Sequence, residues 1–296
     1  MAQATAYLGV ARAPFLALPV ALVACGGAVA AWEGGFSWAS TLLALLGLVA
    51  LHVAVNVLNE VSDLRTGIDL RTARTPFSGG SGTLPAAAMS PRTATAFGVA
   101  AAAVGLAVGI AFLPRVGWKL LPLMAVGAVA VLGYTDALAR VGLGEVFAGL
   151  GLGALPVWGT VLVQGGAPGW AALAASLPAF FMTFNLLLLN EFPDEEADLA
   201  GGRRNLVILL GRRAAALVYA AAALLTPASI AAAVALGVLP VACVGAIFPS
   251  LLLVRPLRWA LARSGDPVPV PALAANVTWN LATNIALALT LLVAIR

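Results

Sequence analysis

Apolar runs of about twenty residues recur along nearly the whole chain, and nothing else in the sequence constrains the fold as strongly. A helix of that length crosses the hydrocarbon core of a bilayer, and only helices or closed barrels satisfy their backbone groups there. The runs do not alternate in polarity, which excludes a transmembrane barrel. Only 9% of the side chains are charged, against roughly 25% in a soluble domain, and mean hydropathy is +1.02. The chain therefore reads as an all-α polytopic membrane protein with one domain over residues 1–296. Pro, Gly and charged positions divide it into nine expected spans: 14–31, 38–58, 93–113, 118–135, 145–163, 170–190, 213–235, 237–254 and 271–294. The first run reads as a span rather than a cleaved signal. Cys25 and Cys243 both fall inside apolar runs and imply no disulfide framework.

The net charge of +4 does not point to nucleic acid once the charges are placed. With the N-terminus inside, thirteen Arg residues fall on the cytoplasmic side, against Arg115, Lys119 and Arg296 outside. That asymmetry orients the bundle with a cytoplasmic N-terminus in a cell (inner) membrane.

The acids show the same bias for a different reason, since carboxylates contribute little to orientation. Eight of the twelve sit at the mouths of two spans: Glu60, Asp63 and Asp69, then Glu191, Asp194, Glu195, Glu196 and Asp198. Glu60 and Asp63, and Glu191 and Asp194, lie in a near repeat, "VAVNVLNEVSD" and "FNLLLLNEFPD". Asn56, Asn59 or Glu60, and Asp63 recur at helical spacing, and Asn190, Asp194 and Asp198 stand at i, i+4, i+8. Each helix end thus offers a ladder of oxygen ligands. Clustered carboxylates beside lipid repel one another, and a divalent cation relieves that penalty. Oxygen donors without His or Cys suit a hard ion such as Mg²⁺, often shared with substrate phosphate. The acidic stretches run on into "RTGIDLRTARTPFSGGSGT" and "AGGRRNL", which add Arg and a flexible Gly-rich backbone for phosphate. Together these features suggest a Mg²⁺–diphosphate site opening to the cytoplasm.

At this point the chain resembles the UbiA-type superfamily of intramembrane prenyltransferases. The resemblance rests on the paired motifs Asn59-Glu60-x-x-Asp63…Asp69 and Asn190…Asp194-x-x-x-Asp198. The step "LRTGID" and the segment "YTDALARVGLGE" are most similar to 1,4-dihydroxy-2-naphthoate prenyltransferases of menaquinone synthesis. Glu60 stands where that family has Asp, and Asp136 where Gly is common. The resemblance implies nine helices, with the loops after the second and sixth forming a cap over the site. It implies that Mg²⁺ held by Asn59, Glu60, Asp63, Asn190, Asp194 and Asp198 binds an allylic polyprenyl diphosphate, with Arg65, Arg74, Arg203, Asp69 and Ser81 on the diphosphate. Asp63, Asp194, Asp198 and Tyr134 are the expected catalytic residues. The prenyl group then passes through a carbocation to an aromatic or other small lipid acceptor.

Asn56, His52, Asp136, Glu145, Asn185 and Asn280 are candidate walls of the substrate cavity. Asn276, Asn280 and Asn284 stand at i, i+4, i+8 and should turn into the bundle, where amides find partners. A membrane terpene cyclase and a prenyltransferase for 4-hydroxybenzoate or another lipid remain alternatives. An ion-coupled transporter fits less well, because its acids would lie at the midplane rather than at helix mouths.

Overall fold

The computed structural model describes residues 2–133, 137–165 and 167–295, and every regular element among them is helical. The α-helices are α1 (Ala2–Val10), α2 (Ala17–Trp32), α3 (Trp38–Thr66), α4 (Ile68–Arg71), α5 (Pro91–Val116), α6 (Leu121–Leu132) and α7 (Gly144–Gly149). They continue with α8 (Leu155–Val163), α9 (Trp170–Ala200), α10 (Leu206–Leu210), α11 (Arg212–Ala235), α12 (Val254–Ala262) and α13 (Val270–Val293). Among the described residues eight helical runs are long and apolar enough to cross a membrane, not the nine read from hydropathy. The expected third and fourth spans form one run, Pro91–Leu132. That run folds back on itself at Gly117, whose φ of 71° suits a residue without a Cβ. As a result a Cβ on Gly109 would lie 2.9 Å from the Met124 side chain.

Local chemistry sets the helix ends that matter for the site. Ser37 caps α3 by accepting from the Ser40 amide at 3.3 Å. Gly67, at φ 77°, ends the same helix in a left-handed turn. The first acidic motif therefore lies inside the last turns of α3, not in a loop. The second likewise lies within α9, which runs on to Ala200. Pro91 at the first turn and the Ser90 side chain, which accepts from the Thr93 amide at 3.1 Å, start α5.

The helices pack through small residues, as expected where lipid removes the hydrophobic drive between them. Cys25, Val29, Ala175 and Leu287 join α2, α9 and α13 in one core, and Phe192, Tyr219 and Trp279 centre a second. Both cysteines are buried thiols. A closed polar ring ties α9, α11 and α13 together. Tyr219 Oη donates to Asn276 Oδ1 at 3.0 Å, Asn276 Nδ2 to the Asn185 carbonyl at 3.1 Å, and Asn185 Nδ2 to the Tyr219 carbonyl at 3.0 Å. Asn284 donates to Asn280 Oδ1 at 2.9 Å. The asparagine stripe on α13 thus serves packing between helices.

Candidate active site

The ends of α3 and α9 meet at one end of the bundle, around a cavity of about 180 Å³. From α3, the stripe His52, Asn56, Asn59 and Asp63 lines it, and from α9 the stripe Thr183, Leu187, Asn190, Asp194 and Asp198 does so, as helical periodicity requires. Asp69 and Glu191 complete five carboxylates on the wall.

One guanidinium joins the two ladders. Arg203 forms ion pairs with Asp63 and, at 3.0 Å, with Asp198, and donates to Asn59 Oδ1 at 3.0 Å. Asn59 Nδ2 in turn donates to Asp63 Oδ2 at 2.8 Å, and Asn205 Nδ2 to Asp198 Oδ2 at 2.9 Å. Both carboxylates are almost wholly buried, so this cation offsets a large desolvation cost.

The segment 72–83 crosses from one ladder to the other. Thr72 Oγ1 donates to Asp194 Oδ1 at 2.7 Å, and the Ser81 amide and hydroxyl donate to Glu60 at 2.5 and 2.6 Å. Between them Gly80, at φ 71°, passes so close that a Cβ would sit 2.5 Å from Asp69 Oδ1. Phe77, Ser78, Gly79 and Gly80 form part of the cavity wall. Burial first, then the nearby Asp63 and Glu60 carboxylates, push the Asp69 carboxyl up to about 7, while Arg12 and Arg74 oppose the shift.

Several expected site residues lie elsewhere. Glu60 is buried on the other face of α3, its oxygens taken by Arg12 Nε at 2.8 Å and by Ser81. Neither Glu60 nor Ser81 is on the cavity wall, and here the two clasp each other. Arg65 is exposed away from the cavity, and Arg74 is turned back onto the loop, donating to the Gly79 and Asp69 carbonyls at 3.2 and 3.3 Å. Glu145 is buried behind the wall, accepting from the Leu206 amide at 2.6 Å beside Glu191. Asn185 and Asn280 are also off the wall: amides in a lipid-solvated bundle pair with neighbouring helices, here Tyr219 and Thr183. Tyr134 and Asp136 lie outside the described residues.

Conversely, the cavity contains residues that the motifs did not flag. Arg12, held at φ 51° after α1, reaches into it from the N-terminal segment, and Phe15, Phe77 and Phe147 give it aromatic walls. The one sequence signal for Arg12 was its isolation ahead of the first apolar run.

The donor set of carboxylate and amide oxygens fits a hard divalent cation. Asp69 Oδ2 is buried without a hydrogen-bond partner, which leaves acceptor capacity toward such an ion, while Glu191 faces the Glu145 carboxyl behind the wall. Among the described residues no three acidic, His or Cys groups close into a ready-made metal site. The ladders are instead spaced around Arg203.

A lipid-solvated bundle has little structural use for five carboxylates around one cavity, and such a cluster marks a functional site of an integral membrane protein. The sequence places the protein: the UbiA prenyltransferase family model matches residues 17–281, and the chain belongs to that family. It is a prenyltransferase. A Mycobacterium tuberculosis 1,4-dihydroxy-2-naphthoate octaprenyltransferase is 28% identical over 214 residues, 70% of each chain. The Bacillus subtilis protein of the same name is 26% identical over 168 residues, 56% of this chain and about half (53%) of that relative's length. A UbiA homolog from Archaeoglobus fulgidus, solved bound to GPP and Mg²⁺, superposes with a TM-score of 0.65 at 17% identity over 97% of this chain and 99% of that one.

Proposed function

We propose that this prenyltransferase moves a polyprenyl group from an allylic polyprenyl diphosphate to 1,4-dihydroxy-2-naphthoate, with Mg²⁺ as cofactor. The observation that carries this reading is the meeting of two oxygen ladders around Arg203 at the mouth of one cavity. The names of the two bacterial relatives support the acceptor, and the GPP and Mg²⁺ in the archaeal homolog support donor and metal.

Asn59, Asp63, Asn190, Asp194 and Asp198 would hold the cation, whose chemistry is to neutralise charge building on the departing diphosphate. Arg203 and Arg12, both on the cavity wall, would bind the same phosphates, and their guanidinium charge would favour the ionised state over the ester. When the allylic C–O bond breaks, its electron pair leaves with diphosphate. Phe15, Phe77 and Phe147 on the cavity wall would shield the allylic cation. An electron-rich ring carbon then forms the new C–C bond, and its proton passes to the released diphosphate as base, restoring the aromatic ring.

We further read the two arms of the Pro91–Leu132 run as separate crossings. That gives nine crossings, a cytoplasmic N-terminus and a site opening to the cytoplasm, in agreement with the placement of Arg.

The test is turnover by the purified protein in detergent with Mg²⁺, octaprenyl diphosphate and a panel of acceptors, followed by mass spectrometry. The expected product is the prenylated dihydroxynaphthoate, lost on chelation. No diphosphate release with any acceptor would sink the proposal, and release with terpene alcohols alone would replace it with a cyclase.

A further inference from the structure

Asp63 and Asp198 are held in the same way. On each, Arg203 takes Oδ1 and an asparagine amide takes Oδ2. Asn59 Nδ2 reaches Asp63 at 2.8 Å from one turn earlier on α3. Asn205 Nδ2 reaches Asp198 at 2.9 Å from beyond the end of α9. Asn205 belongs to neither acidic motif and does not line the acidic cavity, and it is buried.

The contacts of Asn205 fix which end of its amide faces the carboxylate. Its Oδ1 caps α10 by accepting from the Ile208 amide at 3.0 Å, so Nδ2 is the end turned to Asp198. The backbone on either side is pinned as well. Glu145 Oε1 accepts from the Leu206 amide at 2.6 Å, and the Arg204 amide donates to the Ala139 carbonyl at 2.9 Å. Arg203, by contrast, ends a long flexible stem that is partly exposed. A cation that displaces the guanidinium lets Arg203 swing away, and Asn205 cannot follow. Asp198 Oδ2 stays tied, and Oδ1 is the oxygen left to the ion.

We infer that Asn205 is a positioning residue that makes Asp198 a one-oxygen ligand and so sets a preference for Mg²⁺ over Ca²⁺. The inference rests on the proposed Mg²⁺ cofactor and adds how the site tells that ion from a larger one. Mg²⁺ demands a compact, near-octahedral shell, which single oxygens in fixed directions supply. Ca²⁺ takes a larger and looser shell and accepts a carboxylate through both oxygens. Hydrogen bonds to a ligating carboxylate hold its orientation, and losing one commonly costs about 10–100-fold in metal affinity. Without the Asn205 amide, Asp198 can rotate and offer both oxygens, which penalises Mg²⁺ and suits Ca²⁺.

Asn205→Ser separates this role from the cap: a serine still caps α10 but is too short to reach Asp198 Oδ2. The experiment measures Mn²⁺ binding to the full-length protein in detergent from the electron paramagnetic resonance of free Mn²⁺, with Mg²⁺ and Ca²⁺ as competitors. Asn205→Ser should weaken Mg²⁺ as a competitor about 10-fold or more and leave Ca²⁺ within about 3-fold, so the preference narrows. A circular dichroism spectrum matching wild type shows that the variant is folded. If the serine variant does not accumulate, Asn205→Thr, which also caps without an amide, repeats the test. Unchanged competition by both ions, or an equal fall for both, overturns the role of Asn205 and leaves the metal reading standing. A wild-type protein that binds no Mn²⁺, with or without inorganic diphosphate, removes the metal reading, and the inference with it.

Discussion

Arg203 is the residue whose loss should be most informative. In Arg203→Ala, Asp63 and Asp198, 3% and 1% exposed, lose their shared counter-charge. Removing one partner of a buried pair costs about 3–5 kcal/mol. Arg203 keeps 17% of its side chain exposed, so water screens part of that, and about 3 kcal/mol is the expected loss. For a chain this large, that lowers the apparent melting midpoint of metal-free protein by roughly 6–12 °C. Mg²⁺ should restore most of the difference, because the variant's carboxylates accept a cation that no longer competes with a guanidinium. Catalysis should not recover with it: loss of a charged donor to the diphosphate predicts a fall in kcat of about 100-fold or more. The assays are thermal unfolding in detergent with a Mg²⁺ titration, then diphosphate release. A metal-free variant that melts with wild type, or whose midpoint Mg²⁺ raises less than it raises wild type's, refutes the counter-ion role.

Glu60 and Asp63 should separate cleanly. Glu60→Gln is expected to lower stability by loosening Arg12 and Ser81 while leaving the Mg²⁺ dependence of turnover unchanged, and Asp63→Asn to weaken Mg²⁺ activation; Mg²⁺ titrations of both variants decide it. The Asp69 carboxyl is raised from 3.8 to about 7, so in metal-free protein its contribution to stability is present below pH 3.8 and is lost as pH rises through about 7. Asp69→Asn should flatten that segment of the midpoint-against-pH curve, and an unchanged slope would refute the assignment. Gly80→Ala adds a Cβ 2.5 Å from Asp69 Oδ1 at positive φ, and should cost about 1–3 kcal/mol and raise the KM for donor, as steady-state kinetics and melting will show.

Much of this was legible in the sequence because membrane helices obey local rules. Hydropathy located the bundle, and the spacing of Asn190, Asp194 and Asp198 already placed them on one face of α9. The same periodicity sets Glu60 about 100° from Asn59 but only about 40° from Asn56 and 60° from Asp63, so spacing alone does not exclude it from their face. Motif resemblance drew Glu60 in, and its true partners, Arg12 and Ser81, are 48 and 21 residues away. The expected boundary between 93–113 and 118–135 falls at the fold-back around Gly117, although helix continues so closely on either side that Pro91–Leu132 forms one apolar run. Asn185 and Asn280 looked like cavity residues for want of knowing which helices they would meet. Arg12 and the aromatic wall were illegible for the same reason: they are brought to the site by packing between elements, not by spacing within one.

The Arg203 bridge bears on how such a protein is made. A nascent chain enters the bilayer before any metal has been captured, and two bare acidic helix ends would then push apart. By carrying its own removable counter-ion, the chain can finish folding first and be charged with metal afterwards. The same residue then sets a threshold: a cation drawn to these carboxylates competes with a tethered guanidinium at high local concentration.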